Sequence, residues 1–166
     1  MYAPTEGNDM SEMEELFSRS EKRIKQTESG FVIDSVLRVF SEGRKDFCEE
    51  NMTAAATDVF GGVFAVCGET VMYFAPDTLE WEDMELDFPQ FLSWVSHGDT
   101  GAFYSSWLTQ EIAELAEKTG FDEGILIYPF LWSKECSIET ASKKIVPFRE
   151  LYGMNMEFKA KFDGGK

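Results

Sequence analysis

The clearest alternation of hydrophobic and polar positions lies between Asp58 and Tyr104. Two apolar runs, at 63–67 and 70–74, are separated by Gly68-Glu69, a connection of hairpin length. A third run, Leu79-Glu-Trp-Glu-Asp-Met, alternates apolar and acidic residues with the period of two that is typical of strands. Strands that follow one another so closely predict an antiparallel meander, and its outer strand should present an acidic face to solvent.

A helix is predicted directly after the acidic strand. Asp87 stands at the capping position, Gln90 at the reciprocal position of a capping box, and Pro89 in the first turn. Apolar residues then recur at helical intervals, namely Phe88, Phe91, Leu92 and Val95. The helix should end near His97-Gly98, and one more helix, or two, should follow between 102 and 119.

Helical patterns also occur at both ends of the chain. The capping-box spacing of Ser11 and Glu14 and the apolar residues after it predict a first helix that ends around Gln26, and a last helix follows Phe148. The segment 31–40 reads as one strand or two short ones, and 51–57 as a strand or a helical turn. We therefore predict an α+β fold, a mostly antiparallel meander covered by flanking helices, with residues 1–10 as a flexible leader and 11–166 as a single domain.

Gly61-Gly62 immediately precedes one of the predicted strands. Paired glycines in this position are typical of a bulge or of a close backbone approach. A phosphate-binding loop would need more glycines, a following helix and a lysine or another donor, so the bulge or close approach is the favoured interpretation.

The charge of the chain narrows the classes of partner. Asp and Glu total 31 and Lys and Arg total 15, which gives a formal net charge of −16 at pH 7. Such a surface repels phosphate backbones and anionic lipids, so nucleic-acid and membrane binding are disfavoured, whereas a basic protein would be attracted.

The three widely spaced cysteines and the absence of an apolar run of membrane-spanning length predict a cytoplasmic protein.

The sequence contains no recognisable catalytic signature, and no cofactor or metal site is expected. The single histidine, His97, is placed in the last turn of a predicted helix, where capping of the free carbonyl groups is favoured over catalysis because no orienting partner is identified. Acidic residues are densest in the third strand and just after it, at Glu80, Glu82, Asp83, Glu85 and Asp87. Strand alternation separates Glu80 and Glu82 from Asp83, so a solvated face is favoured over a metal or glycosidase-like site.

Four segments carry a family resemblance: Phe60-Gly-Gly-Val-Phe-Ala-Val, Val71-Met-Tyr-Phe-Ala-Pro-Asp-Thr-Leu-Glu-Trp-Glu-Asp, Phe88-Pro-Gln-Phe-Leu-Ser-Trp and Ile127-Tyr-Pro-Phe-Leu-Trp-Ser-Lys-Glu. From about Gly30 to the last helix, the chain resembles a bacterial family catalogued as a domain of unknown function, the 2625 family. The order of its elements is also similar to that of the SUKH superfamily of α+β domains. That superfamily includes immunity proteins against secreted toxins, many of them nucleases, which implies a protein that works by binding and carries no catalytic residues.

These observations lead to a main hypothesis and two alternatives. The main one is a non-enzymatic domain that binds a basic protein, of the kind that a nuclease-like toxin presents, through Glu80, Trp81, Glu82, Asp83 and Glu85. One alternative is a metal-dependent or small-molecule enzyme that uses His97 with Asp83 or Asp87. The other is a ligand-sensing domain with an apolar sheet pocket lined by Trp81 and Trp94.

Overall fold

The computed structural model describes residues 9–164, in which strands outnumber helices. The helices are α1 (Asp9–Ser18), α2 (Phe88–His97), α3 (Thr100–Phe103), α4 (Gln110–Lys118) and α5 (Phe148–Gly164). The strands are β1 (Ile24–Gln26), β2 (Gly30–Ile33), β3 (Leu37–Arg44), β4 (Thr53–Asp58), β5 (Val63–Cys67), β6 (Thr70–Ala75), β7 (Glu80–Asp83), β8 (Glu123–Tyr128) and β9 (Ser142–Pro147).

Strands β1 to β7 form one seven-stranded sheet in which each strand pairs with the next along the chain, always antiparallel. The register of the central hairpins sets Phe64 opposite Tyr73 and Phe74 opposite Trp81. Strands β8 and β9 pair in a separate two-stranded sheet. The predicted α+β fold, an antiparallel meander with flanking helices, is therefore confirmed.

The large sheet is covered on both faces, because successive side chains of a strand point to opposite sides. In β6, Val71 and Tyr73 enter a first core that also contains residues of α1, α2 and α4, whereas Phe74 enters a second core together with residues of α5. The first core includes Phe17, Phe31, Val39, Phe64, Phe91, Leu92, Val95 and Ile112. The second core is formed by Phe40, Ala54, Val63, Phe74, Leu79 and Phe148, with Trp81 and Tyr152 packed against it.

The first helix differs from the prediction at both of its ends. Helix α1 begins at Asp9, so residues 9 and 10 of the predicted leader are helical, while residues 1–8 lie outside the described part. The helix also ends at Ser18 rather than near Gln26, and β1 follows as the edge strand, with Lys25 opposite Val32. Beyond the end of the helix, the Lys22 ammonium group donates to the Val95 carbonyl at 2.8 Å and holds this segment against α2.

Helix α2 begins as its sequence pattern predicts. The Gln90 N–H donates to Asp87 Oδ1 at 2.8 Å, and the Asp87 N–H donates to Gln90 Oε1 at 2.9 Å, so the capping box is complete. Asp87 follows the acidic strand β7 by only a few residues. The cap therefore fixes the direction in which the chain leaves the edge of the sheet.

Candidate functional site

The acidic residues predicted to bind a partner lie on and just after β7, the last strand of the large sheet. Glu80, Glu82, Asp83 and Glu85 are exposed, and we call these four residues the acidic edge. Because β7 pairs only with β6 in this sheet, its other side is a strand edge, the kind of surface that proteins commonly protect with charged side chains. The structure thus brings the predicted carboxylates together at one border of the sheet.

The four carboxylates have different surroundings. Glu80 pairs with Lys159 of α5 at 3.3 Å, and the side chain of Lys159 is only 18% exposed, so this carboxylate also ties the edge to the last helix. Asp83 Oδ1 accepts hydrogen bonds from Thr70 Oγ1 at 2.5 Å and from the Glu85 N–H at 2.8 Å. The hydrogen bond from Thr70 and, as the smaller effect, the one from Glu85 lower the pKa of Asp83, so its charged form is favoured. Glu82 and Glu85 have no lysine or arginine nitrogen within 4.0 Å in residues 9–164.

Trp81, the fifth predicted residue, lies mainly inside the protein. Its ring is 5.4 Å from that of Phe74, centroid to centroid, and it packs against the second core. Its indole nitrogen is buried and has no hydrogen-bond partner within the described residues. Trp81 therefore anchors β7 to the second core, and only the exposed part of its half-buried side chain is open to a partner.

A groove of about 220 Å³ lies beside the acidic edge. The β6–β7 hairpin contributes Asp77 and Glu82, and the segment after α2 contributes Phe103, Ser106 and Trp107, with Tyr73 also lining it. Phe103 is 39% exposed, which is unusual for a phenylalanine in this chain, where most are buried or half-buried. We call this feature the aromatic groove.

Sequence reasoning missed the aromatic groove. Asp77 shows only the signature of a turn residue after Pro76, and Trp107 has the spacing of a helical core position. The two halves of the groove are more than 20 residues apart in the chain, and no local signal joins them. Only the packing of the segment after α2 against the hairpin brings them together.

A buried carboxylate lies under the groove. Asp58 is fully buried, and its Oδ2 accepts hydrogen bonds from the hydroxyl groups of Tyr73 at 2.7 Å and Tyr104 at 2.8 Å. Its Oδ1 accepts from the N–H groups of Phe60 at 2.9 Å and Gly62 at 2.8 Å. Burial raises the pKa of Asp58 and the four hydrogen bonds oppose that shift, while burial and the nearby carboxylate raise the pKa of both tyrosines.

Gly62 explains the paired glycines. A Cβ atom at this position would lie 2.3 Å from Tyr73 Oη and 2.4 Å from Asp58 Oδ2, closer than a real Cβ contact allows. The predicted close approach at Gly61-Gly62 is therefore present, and it brings the backbone N–H of Gly62 to the buried carboxylate. The loop after β4 serves the core of the protein.

Arg38 is the second buried charge. Its guanidinium group donates to the carbonyl oxygens of Thr119 at 2.8 Å and Val36 at 3.0 Å, and to that of Ser35. Thr119 caps the C-terminus of α4, where free carbonyl groups favour a cation. Burial lowers the pKa of Arg38 to about 10, and the charge of Asp58 is the largest influence in the opposite direction, so Arg38 stays protonated at neutral pH.

The structure separates His97 from Asp87 and Trp81 from Trp94, two pairs that the alternative sites would use. His97 is exposed in the last turn of α2, with its Nδ1 2.7 Å from Ser96 Oγ, and Asp87 caps the opposite end of this ten-residue helix. At a rise of about 1.5 Å per residue, the helix separates His97 from Asp87 by about 15 Å. Trp94 packs against the first core and Trp81 against the second, so they lie on opposite faces of the sheet.

Two features are absent from residues 9–164. No three His, Cys, Asp or Glu side chains of this part come together in a group that could hold a metal ion. Among the helices described, none combines the length and the apolar character that crossing a bilayer requires.

The fold and this surface define a class of protein: an α+β domain built on a seven-stranded antiparallel meander, with an acidic edge strand and an aromatic groove beside it. The chain belongs to the family described as "Protein of unknown function DUF2625", whose sequence profile matches residues 29–151. The resemblance noted from the sequence is therefore confirmed for this family, and the similarity to the SUKH superfamily stays a prediction.

Two bacterial relatives are similar to the chain over most of its length. The "Putative uncharacterized protein YbfG" of Escherichia coli K12 is 35% identical over 126 residues, which cover 72% of this chain and 57% of the relative. An "Uncharacterized protein" of Haemophilus influenzae is 27% identical over 116 residues, which cover 65% of this chain and 51% of the relative. The chain thus spans little more than half of each of these relatives. No solved structure matches it significantly.

Proposed function

We propose that this chain is a non-enzymatic protein-binding domain and that its acidic edge docks a basic protein. The observation that carries the proposal is the position of Glu82, Asp83 and Glu85, which are exposed on and just after an edge strand and have no lysine or arginine nitrogen within 4.0 Å among the described residues. Carboxylates without an internal cation keep their charge available to a partner. The net charge of −16 adds a long-range attraction for the same basic partner.

The partner that fits this surface is a basic protein of the nuclease-toxin kind, and the chain would then act as an immunity-type inhibitor in the cytoplasm. A nuclease needs a basic groove to hold its substrate, and an acidic edge strand offers that groove a complementary surface. Complementary charges mainly raise the association rate and select the partner, whereas buried apolar contacts slow dissociation. Binding should therefore weaken as the salt concentration rises.

The alternative pocket near His97 and Trp81 has no comparable observation in its favour. Trp81 packs into the second core, and His97 stands exposed at the end of α2. We therefore do not propose a metal-dependent or small-molecule activity at this pocket.

Affinity capture from a lysate of the native host, at low salt, tests the proposal. The baits are the wild-type protein, the edge variant Glu82→Gln/Asp83→Asn/Glu85→Gln, and the matched control Glu135→Gln/Glu139→Gln/Glu157→Gln. The control removes the same number of charges from exposed positions outside the acidic edge. Glu80 is left unchanged because its ion pair with Lys159 also serves the fold.

We expect the wild type and the control to retain one basic protein that is released at high salt, and the edge variant to lose it. With the purified partner, the association rate constant of the edge variant should fall about tenfold or more at low salt. A partner that the edge variant and the control retain equally would contradict the proposal.

A further inference from the structure

We propose that the aromatic groove receives a single arginine side chain of the basic partner. The inference rests on the proposed function, because it names the chemical group that the partner inserts beside the acidic edge. It depends on the groove itself: two carboxylates and an exposed aromatic ring around one cavity of about 220 Å³.

The charges that line the groove are complementary to a cation. Asp77, in the turn after β6, and Glu82, on β7, are both exposed and both line the cavity. Glu82 Oε2 is 3.4 Å from the Thr78 hydroxyl, a weak interaction. Neither carboxylate has a lysine or arginine nitrogen within 4.0 Å in the described part of the chain, and no basic residue lines the groove.

The aromatic wall suits the same cation. Phe103 is 39% exposed, and T-shaped contacts of its ring with Tyr73, at 5.1 Å between centroids, and Trp94, at 5.3 Å, hold it in place. Trp107 packs against Phe60 at 5.2 Å and also lines the groove. An exposed aromatic face next to carboxylates attracts a cation through the negative face of the ring as well as through the opposite charges.

Arginine matches this combination better than lysine or a metal ion. A guanidinium group is planar, so it can stack on the ring of Phe103 while its N–H groups donate to a carboxylate. The ammonium group of lysine is a strongly hydrated point charge and cannot stack in this way. A divalent cation prefers several oxygen ligands, and the aromatic wall of the groove provides none.

The floor of the groove is preorganised. Tyr73 lines it, and the Tyr73 hydroxyl is fixed by its 2.7 Å hydrogen bond to the buried Asp58. Tyr104, which bonds to the same carboxylate, supports the ring of Phe103 at 4.9 Å. The buried cluster thus positions the aromatic wall before a partner arrives, which lowers the entropy lost on binding.

The test is an NMR titration of the ¹⁵N-labelled protein with Nα-acetyl-arginine amide. Nα-acetyl-citrulline amide, which has nearly the same shape and no charge, is the matched control ligand. We expect the Trp107 indole signal and the Phe103 amide signal to shift saturably with the arginine derivative, with a dissociation constant of the order of millimolar, and to shift little with citrulline. Equal shifts with both ligands, or no saturable shift, would overturn the inference.

Variants locate the binding within the groove. Phe103→Ala and Glu82→Gln should each weaken the binding of the arginine derivative by about tenfold or somewhat less. Phe162→Ala, which removes the ring of a residue on α5 that is 49% exposed, should leave it unchanged. Signals far from the groove report whether each variant is folded, and the comparison between arginine and citrulline on the wild type does not depend on any variant.

The outcomes separate this inference from the proposed function. If the edge variant loses the captured partner, while Phe103→Ala retains it and the arginine derivative does not saturate the groove, the inference is wrong and the proposed function stands. If the arginine derivative binds as expected but no basic protein depends on the acidic edge, the groove is a guanidinium site and the proposed function is wrong.

Discussion

Removing the hydroxyl groups of Tyr73 and Tyr104, separately and together, tests whether the buried Asp58 carboxylate is an anchor of the fold. Tyrosine to phenylalanine removes one oxygen and keeps the ring, so the packing of the first core is preserved. Each hydroxyl donates to Asp58 Oδ2, at 2.7 Å and 2.8 Å, in a fully buried setting. A hydrogen bond to a charged group contributes about 1.5–3 kcal/mol, so each single variant should lose about 2 kcal/mol of unfolding free energy.

The double variant should lose more than the sum of the single variants. Both hydroxyl groups serve the same oxygen, so the first substitution leaves Oδ2 with one donor and the second leaves it with neither. Residues that share a partner in this way show coupling energies of about 0.5–3 kcal/mol. The total loss of roughly 5 kcal/mol is comparable to the whole stability of many domains, which is about 5–15 kcal/mol.

Urea denaturation followed by circular dichroism at neutral pH measures these losses. Tyr128→Phe is the matched control, because Tyr128 is 58% exposed and its substitution should change the unfolding free energy by no more than about 0.5 kcal/mol. If both single variants are as stable as this control, or if their effects simply add, then the two hydroxyl groups do not hold the carboxylate jointly and the reasoning is refuted.

Three further substitutions give expected outcomes that the same denaturation assay measures. Burial raises the pKa of Asp58 above its ordinary value of 3.8, so the folded state keeps this proton to higher pH than the unfolded state does. The stability linked to Asp58 is therefore present below pH 3.8 and is lost as the pH rises through the folded pKa. Over that window, Asp58→Asn should gain stability relative to the wild type. A constant difference across the window would contradict this. Gly62→Ala should cost about 1–3 kcal/mol because its Cβ would meet Tyr73 and Asp58, whereas the control Gly153→Ala, with nothing within 4 Å on α5, should be neutral or stabilising by up to about 1 kcal/mol. Asp87→Ala should cost about 1 kcal/mol by removing the cap of α2, and an unchanged midpoint would mean that the capping box is dispensable.

Elements defined by neighbouring residues were predictable from the sequence. The capping box of α2 needs only Asp87, Gln90 and the apolar residues between and after them, and it forms as predicted. The hairpin at Gly68-Glu69 and the acidic strand β7 follow from alternation and turn residues within short segments. The exposure of Glu80 and Glu82 follows from the same alternation, so these two residues of the acidic edge could be found without coordinates.

Two strands depended on tertiary context. The segment that contains β1 has apolar residues at helical intervals, yet it pairs with β2, and Ser20 and Lys22 just before it bond to the end of α2, a contact that no local pattern announces. In β4, three consecutive alanines are buried at 0–1% exposure, although alanine has little intrinsic preference for strands. These alanines form a strand because β4 lies inside the sheet, between β3 and β5.

The sequence by itself determined the fold class, the meander and its charged border, because these features arise from residues within a few positions of one another. Only the tertiary structure decided the buried cluster and the aromatic groove. Asp58 lies 15 residues from Tyr73 and 46 from Tyr104, and the two sides of the groove are also distant in the chain. Contacts of this kind carry no local period, since they form only when the faces of different elements pack against each other.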